Sequence, residues 1–262
     1  MRALDLDFIR EIKNTKDRFL SILVLAALAV AFLSGLRAMA PDMKGTLDCY
    51  MDAQKMHDVQ VYASLGLTDG DIEAMISQGG LDGEGVYLID AFVSGAETDK
   101  PVKLWSMPER ICMPVVKSGR MPEKASECLV DNKLARAENI SIGDIMRFST
   151  EGSYEDCLAI EEAEVVGISS SPYYISVERG TSTLGNGQAS GYFYLLPEAF
   201  DMDYYTTALF TLDGVEQLVA YSEDYDDLVS RAIDMIEPFG EERAALRTAE
   251  IKDEGFEKLA DA

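Results

Sequence analysis

The run "FLSILVLAALAVAFLSGL", Phe19 to Leu36, holds 18 residues without a charge, between Arg18 and Arg37. As a helix it spans roughly 27 Å, close to the hydrocarbon thickness of a bilayer. It is apolar on every side, so it is not the stripe of a surface helix. A cleaved signal peptide is the competing reading, because "AMA" at Ala38 to Ala40 resembles a small-residue cleavage site. The run is longer than the usual signal core of about 7 to 15 residues, Arg37 intervenes, and Pro41 would follow the cut directly. An uncleaved membrane anchor is the better expectation.

Flanking charge sets the expected orientation. Arg2, Arg10, Lys13, Lys16 and Arg18 precede the span, and only Arg37 and Lys44 lie in the 18 residues after it. This places the N-terminus in the cytoplasm and the main domain outside. Residues 1–18 read as an amphipathic segment, with Phe8, Ile9 and Ile12 on one face; a plain charged flank that fixes topology is the equal alternative. The outer 226 residues carry 18 basic and 43 acidic side chains, a net charge of -25. Such a surface repels phosphate backbones and excludes nucleic acid as a partner.

The outer part reads as α+β. Residues 37–57 continue as a stalk, with a break near Pro41. Over 58–102, "DVQVYAS" alternates like a strand, Thr68 and Asp71 open a capped helix, and "GVYLIDAFVSG" (Gly85 to Gly95) is a second strand. From 103 to 196 come short β-like runs between Gly and Pro turns: "KLWSM", "CMPVV", "ECLVD", "IMRFS", "EVVGIS" and "YFYLL". "DNKLARAE" among them makes a short helix with Asp131 as cap. Over 197–238 a strand "TTALFTL" leads to a helix capped near Ser222, with Tyr225, Leu228, Val229, Ala232, Ile233 and Ile236 on one face. Residues 239–262 read as a charged helix or coiled-coil start, with Ala245, Ala249, Lys252, Phe256 and Leu259 along a seam.

The chemistry-bearing residues are few. The acidic run "SEDYDD" lacks the alternate ligands and glycine turn of a calcium loop, and its acids suit a helix N-terminus. Cys49, Cys112, Cys128 and Cys157 form no C-x-x-C pair, and His57 is the single histidine, so no metal site is expected. Lone thiols are the simpler reading, and disulfide pairing stays open for a domain outside the cytosol. A catalytic triad would depend on His57, read here as a polar surface residue. Tyr173, Tyr174, Tyr192 and Tyr194 read as packing in the β-rich lobe rather than as a stacking platform. No catalytic residue and no cofactor are expected.

The segment "RGTSTLGNGQASG", Arg179 to Gly191, begins with the G-x-x-x-x-G spacing of a phosphate-binding loop, at Gly180 and Gly185. A P-loop needs Lys and then Ser or Thr after its second glycine, and here Asn186 and Gly187 follow. What remains is a flexible loop free to adopt positive φ angles. Arg179, Gly180, Thr181, Ser182, Thr183, Gly185 and Gly187 are the candidate contact residues for a partner or substrate.

Several stretches together carry a family likeness: "RFLSILVLAALAVAFLSGLRAMAPDM", "LGLTDGDIEAM", "SGRMPEKASECLVD", "ISIGD", "VVGISSSPYYISVERGTSTLGNGQASGYFYLLPEAF" and "EIKDEGFEKLADA". The chain resembles the N-terminal portion of FtsX-like (MacB-type) ABC-transporter permeases of Gram-positive bacteria. The resemblance implies one transmembrane helix, then an α/β porter-like lobe interrupted by an inserted β-rich sabre-like lobe. It implies a permease subunit in the cell membrane that serves export or transmembrane mechanotransmission and does not hydrolyse ATP itself. Its partners would be a cytoplasmic ATP-binding subunit, the bilayer, and either remaining permease helices or a second permease copy. It also implies a permease fragment or a one-span relative. The alternative is a stand-alone membrane-anchored extracellular binding module.

Overall fold

The structure is a computed structural model that describes residues 16–94, 99–151 and 156–260, with side chains through residue 249. Phe8, Ile9 and Ile12 of the expected amphipathic segment lie outside the described residues, as do the side chains of Lys252, Phe256 and Leu259. The chain divides into two compact units, 1–49 and 50–262.

The first unit is occupied by helix α1, Lys16–Ala53, whose last residues belong to the second. Every side chain from Phe19 to Leu36 is exposed. Among the described residues α1 alone is long and apolar enough to cross a membrane. The expected break at Pro41 does not occur: α1 runs through it. Pro41 removes one intrahelical hydrogen bond. Ala38, Met39, Ala40 and Met43 around it are strong helix formers, and the loss stays local.

The second unit contains two sheets. The smaller has the order β1 (Val59–Leu67), β10 (Tyr205–Leu212), β2 (Leu81–Val86), all antiparallel. A strand from late in the chain is therefore inserted between two early ones. Helix α2, Asp69–Ile76, packs on this sheet and starts as the sequence indicates. Thr68 Oγ1 accepts from Asp71 N at 3.2 Å, and Asp71 Oδ2 accepts from Thr68 N at 2.9 Å. Helix α4, Glu223–Ala260, lays Ala232 and Ile236 on Val59 and Met75. It is a single helix through Pro238, and its Arg243 pairs with Asp71 of α2.

The second sheet is a barrel. Its strands are β3 (Leu88–Ser94), β4 (Lys100–Ser106), β5 (Val115–Gly119), β6 (Glu127–Asp131), β7 (Ile145–Ser149), β8 (Glu162–Ser170) and β9 (Tyr192–Leu195). The order is β5-β8-β6-β9-β4-β3-β7, and β7 pairs back with β8, which closes the sheet. Ile89, Val102, Leu104, Val130, Phe148 and Phe193 fill the interior. Helix α3, Asn132–Glu138, follows β6 with Asp131 as its cap, as expected.

The expected single strand over Gly85 to Gly95 is two strands in different sheets. The chain changes sheet at Tyr87, where hydroxyls take over the backbone bonds. Tyr87 N donates to Ser106 Oγ at 2.8 Å, and Leu88 N donates to Thr206 Oγ1 at 2.6 Å. Val86 and Ile89 are buried on either side, so the apolar pattern passes through the junction unbroken.

Candidate functional site

Strand β9 is buried along its whole length between β6 and β4. Alternation sends Phe193 and Leu195 into the barrel, and Tyr192 and Tyr194 to the outer face. There they meet Trp105 of β4, and Val86 and Leu209 of the three-stranded sheet. This cluster is the core between the two sheets. Tyr192 and Tyr194 thus have the packing role expected of them.

Burying phenols requires partners for their hydroxyls. The turn after β8 supplies them. Ser171 N donates to Tyr192 Oη at 2.8 Å, and Ser171 Oγ lies 2.7 Å from Tyr194 Oη. Trp105 Nε1 donates to Tyr174 Oη at 3.0 Å. Tyr173 leaves the barrel altogether: its hydroxyl donates to Gln60 Oε1 at 3.0 Å and lies 3.0 Å from Tyr62 Oη. Gln60 and Tyr62 are on β1, so this turn ties the two sheets together. Burial raises the pKa of Tyr173, Tyr174 and Tyr192, and all three stay neutral hydroxyls.

The candidate contact loop grows out of this turn. Arg179 is held rather than presented. Its Nε and Nη2 donate to Asp131 Oδ2 and Oδ1 at 2.7 and 3.1 Å, and its guanidinium carbon is 5.6 Å from both the Tyr174 and Tyr192 ring centres. Asp131 is 1% exposed. Thr183 is the second anchor, donating from N and Oγ1 to Asp90 Oδ2 at 2.8 and 2.9 Å. Burial pushes the Asp90 carboxyl up, but the bonds from Lys103 and Thr183 outweigh it and hold the carboxyl below its usual range.

Between the anchors the chain folds as a tight hairpin. Thr181 bridges Gln188, and Gly187 N donates to Leu184 O at 3.1 Å. Gly180, Gly185 and Gly187 have φ of 81°, 60° and 85°, the left-handed region that their lack of Cβ permits. The loop is therefore a hairpin held at Arg179 and Thr183. Gly180, Thr181, Thr183, Gly185 and Gly187 remain exposed, and Ser182 is half-buried. Two further exposed groups precede it, Ile175 at 52% and Val177 at 73%. Sequence reasoning passed over them, although their alternation with Ser176 and Glu178 was the available signal.

No family model matches the chain, and none of the curated proteins is significantly similar to it. Solved structures similar to it include the following two. One is the extracellular domain of the noncanonical ABC-type transporter YknZ from Gram-positive bacteria. The likeness covers 66% of this chain and 91% of that one, at 12% identity and a TM-score of 0.40. The other is a domain of a proposed permease protein from Porphyromonas gingivalis, covering 69% of this chain and 71% of that one, at 12% identity and a TM-score of 0.34.

His57 is not the surface residue expected. Its ring stacks on Tyr173 at 5.3 Å, and its Nδ1 is 3.1 Å from Cys112 Sγ. Burial lowers the imidazole to about 4 and raises the Cys112 thiol to about 11. Both groups stay neutral near pH 7, the reverse of the thiolate–imidazolium pair that a cysteine nucleophile needs. The pair clips the segment before β1 to the segment before β5. Among the described residues no group of three or more His, Cys, Asp or Glu side chains could hold a metal ion.

The lowered imidazole has a stability consequence. Between pH 6.5 and 4 the unfolded chain binds one more proton at His57 than the folded chain. Stability is then full above 6.5, falls as pH drops below that value, and levels off near 4. The loss amounts to about 3 kcal/mol. Denaturant unfolding followed from pH 7.5 to 4 should show this decline, and His57→Gln should flatten it.

Proposed function

We propose that this chain is the membrane-anchored extracytoplasmic portion of an ABC-transporter permease subunit. It works with a separate ATPase in export or mechanotransmission. The observation that carries the reading is the arrangement of one exposed apolar helix, α1, followed by an α/β lobe that the chain leaves after β2 and completes only with β10. In this reading the intervening barrel is taken as the inserted lobe that the sequence resemblance implies. The excess of basic residues before the span supports a cytoplasmic N-terminus. The turn from Ser171 to Tyr174, bonded to both sheets, gives a physical route by which displacement of one lobe is passed to the other.

In this reading the hairpin from Gly180 to Gly187, with Ile175 and Val177 beside it, is the surface that meets a partner or substrate. Its rigid anchoring reduces the ordering cost of such a contact. Replacing Gly185 and Gly187 by alanine forces side chains into the left-handed region, and at Gly185 the added Cβ would lie 3.2 Å from Pro101 Cγ. The double variant should stay folded by circular dichroism and lose about tenfold or more in complex function. Unchanged function would make the hairpin a connector only.

The functional reading itself is tested by isolating the full chain from membranes. Co-purification of an ATP-binding subunit is the expected result. Consistent absence of any ATPase or permease partner would leave the stand-alone binding module in its place.

A further inference from the structure

Helix α4 is attached to the small sheet in two different ways along its length. Up to Phe239 the attachment is apolar. Ala232 and Ile236 are buried in the core of that sheet, with Leu228, Val229 and Phe239 packed beside them. From 241 to 249 no side chain is buried, and Arg243 and Arg247 alone are half-buried. Between the two stretches lie Pro238 and Gly240. Pro238 has no N–H, so the carbonyl of Asp234 loses its bond from within the helix. Gly240 does not make space: a Cβ there would meet nothing within 4 Å. Its effect is on the backbone, because glycine is a much weaker helix former than alanine.

The part of α4 beyond this point lies over a hollow of about 200 Å³. Its floor is β1 from Val61 to Leu67 with Met75 of α2, and its roof is Gly240, Arg243, Ala244 and Arg247. The two arginines fasten the roof. Arg243 Nε donates to Asp71 Oδ1, and the Arg247 guanidinium carbon lies 3.6 Å from the centre of the Tyr204 ring. The seat for Tyr204 is built into β1. The register of β1 with β10 shifts between Tyr62 and Leu67, and Gly66, at φ 81°, leaves no room for a Cβ beside Tyr204. The ion pair is shallow, with the Arg243 side chain 36% exposed. Its release does not strand Asp71, whose Oδ2 keeps its bonds from Thr68 N and Oγ1 at 2.9 and 2.8 Å.

We infer that α4 beyond Gly240 is a lever, hinged at Pro238 to Gly240 and latched to the small lobe by Arg243 on Asp71 and Arg247 on Tyr204. A half-exposed ion pair and a cation–π contact each contribute little, so the latched and released states lie close in free energy. Latched, the lever ties α4 to α2 and β1 and roofs the hollow. Released, it swings about the hinge while the first part of α4 stays in its apolar seat. The apolar lining at Val61, Ala63, Leu67 and Met75 then opens to solvent. The device uses only residues of this chain and holds for a permease or a stand-alone module alike.

The test is a distance measurement between two spin labels on the full chain in detergent, in a Cys49→Ser, Cys157→Ser background diluted with unlabelled chain. One label replaces Gln78, exposed just beyond α2. The other replaces either Leu246 on the lever, 47% exposed, or Met235 before the hinge, 36% exposed. Arg243→Met with Arg247→Met should raise the ratio of displaced to latched distances about tenfold at Leu246 and leave Met235 unchanged. Gly240→Ala added to that pair should lower the ratio about fivefold, since alanine stiffens the hinge without a clash. With the arginines intact, raising NaCl from about 0.05 M to about 1 M should also raise the ratio at Leu246, because salt screens the Arg243–Asp71 pair. The salt arm decides the matter if the double variant fails to fold. A distribution at Leu246 that neither treatment alters, an equal shift at Met235, or no effect of Gly240→Ala overturns the proposal. The readout needs no ATPase, so its failure and a failure of ATPase co-purification are separate results.

Discussion

Replacing Arg179 by methionine is expected to lower the stability of the domain by about 3 kcal/mol or more, a fall in Tm of about 6–12 °C. Arg179 holds a carboxylate that is 1% exposed, and the side chain of Arg179 is itself 10% exposed. Without the guanidinium, Asp131 keeps a buried charge with no cation to offset it. Asp131 also caps α3 by accepting from Lys133 N at 3.1 Å, so it cannot turn away to solvent without freeing that helix end. Arg179→Lys should recover only part of the loss, because an ammonium cannot make the two parallel bonds. Arg179→Met combined with Asp131→Asn should be more stable than Arg179→Met alone, because the buried charge is gone. Thermal unfolding of the full chain in detergent reads all three. Equal stability of the single and double variants would mean that the loop anchor, and not the charge, carries the effect.

Trp105→Ala should cost about 3–5 kcal/mol. Trp105 is 1% exposed and sits where Val86 and Leu209 of the small sheet meet Tyr192 and Tyr194 of the barrel. Its ring contacts Tyr173 at 4.8 Å, Tyr174 at 6.3 Å and Tyr194 at 6.2 Å between centres. Truncation leaves a large cavity and takes the indole donor from the Tyr174 hydroxyl. The consequence reaches beyond stability, because this cluster joins the two sheets. In the native protein the sheets should melt together. In Trp105→Ala they should melt in two steps by circular dichroism, with Trp105→Phe between the two behaviours. A single transition merely shifted downward would show that the turn from Ser171 to Tyr174 holds the sheets without the indole.

Much of the local structure was legible because local chemistry fixes it. The cap at Thr68 and the short helix after Asp131 stand where the side-chain oxygens put them. "ECLVD" and "IMRFS" match β6 and β7 residue for residue. Pro41 was misleading because its effect depends on the neighbours that outvote it. The junction at Tyr87 was illegible for a different reason. Both flanking strands are buried, so the sequence shows one apolar run, and the hydroxyls that divide it come from Ser106 and Thr206. The candidate site was legible as a place and not as a mechanism. Glycine spacing marked the hairpin. Its anchors, Asp90 and Asp131, lie 93 and 48 residues away from Thr183 and Arg179, and no local pattern announces such a pairing. His57 was misplaced for the same reason, since Cys112 is 55 residues distant.

The central place of β10 governs the order in which the domain can assemble. β1 and β2 have no hydrogen bonds to each other and wait for the strand that fits between them. That strand lies 118 residues beyond Leu88, from which it accepts a bond through Thr206. At ordinary rates of synthesis the delay is on the order of ten seconds. The barrel strands, from Leu88 to Leu195, are made during this interval, while the first two strands of the small sheet stand with bare edges. A nascent chain halted in the barrel is thus half folded and adhesive, and the domain acquires its protected form only when its last strand arrives.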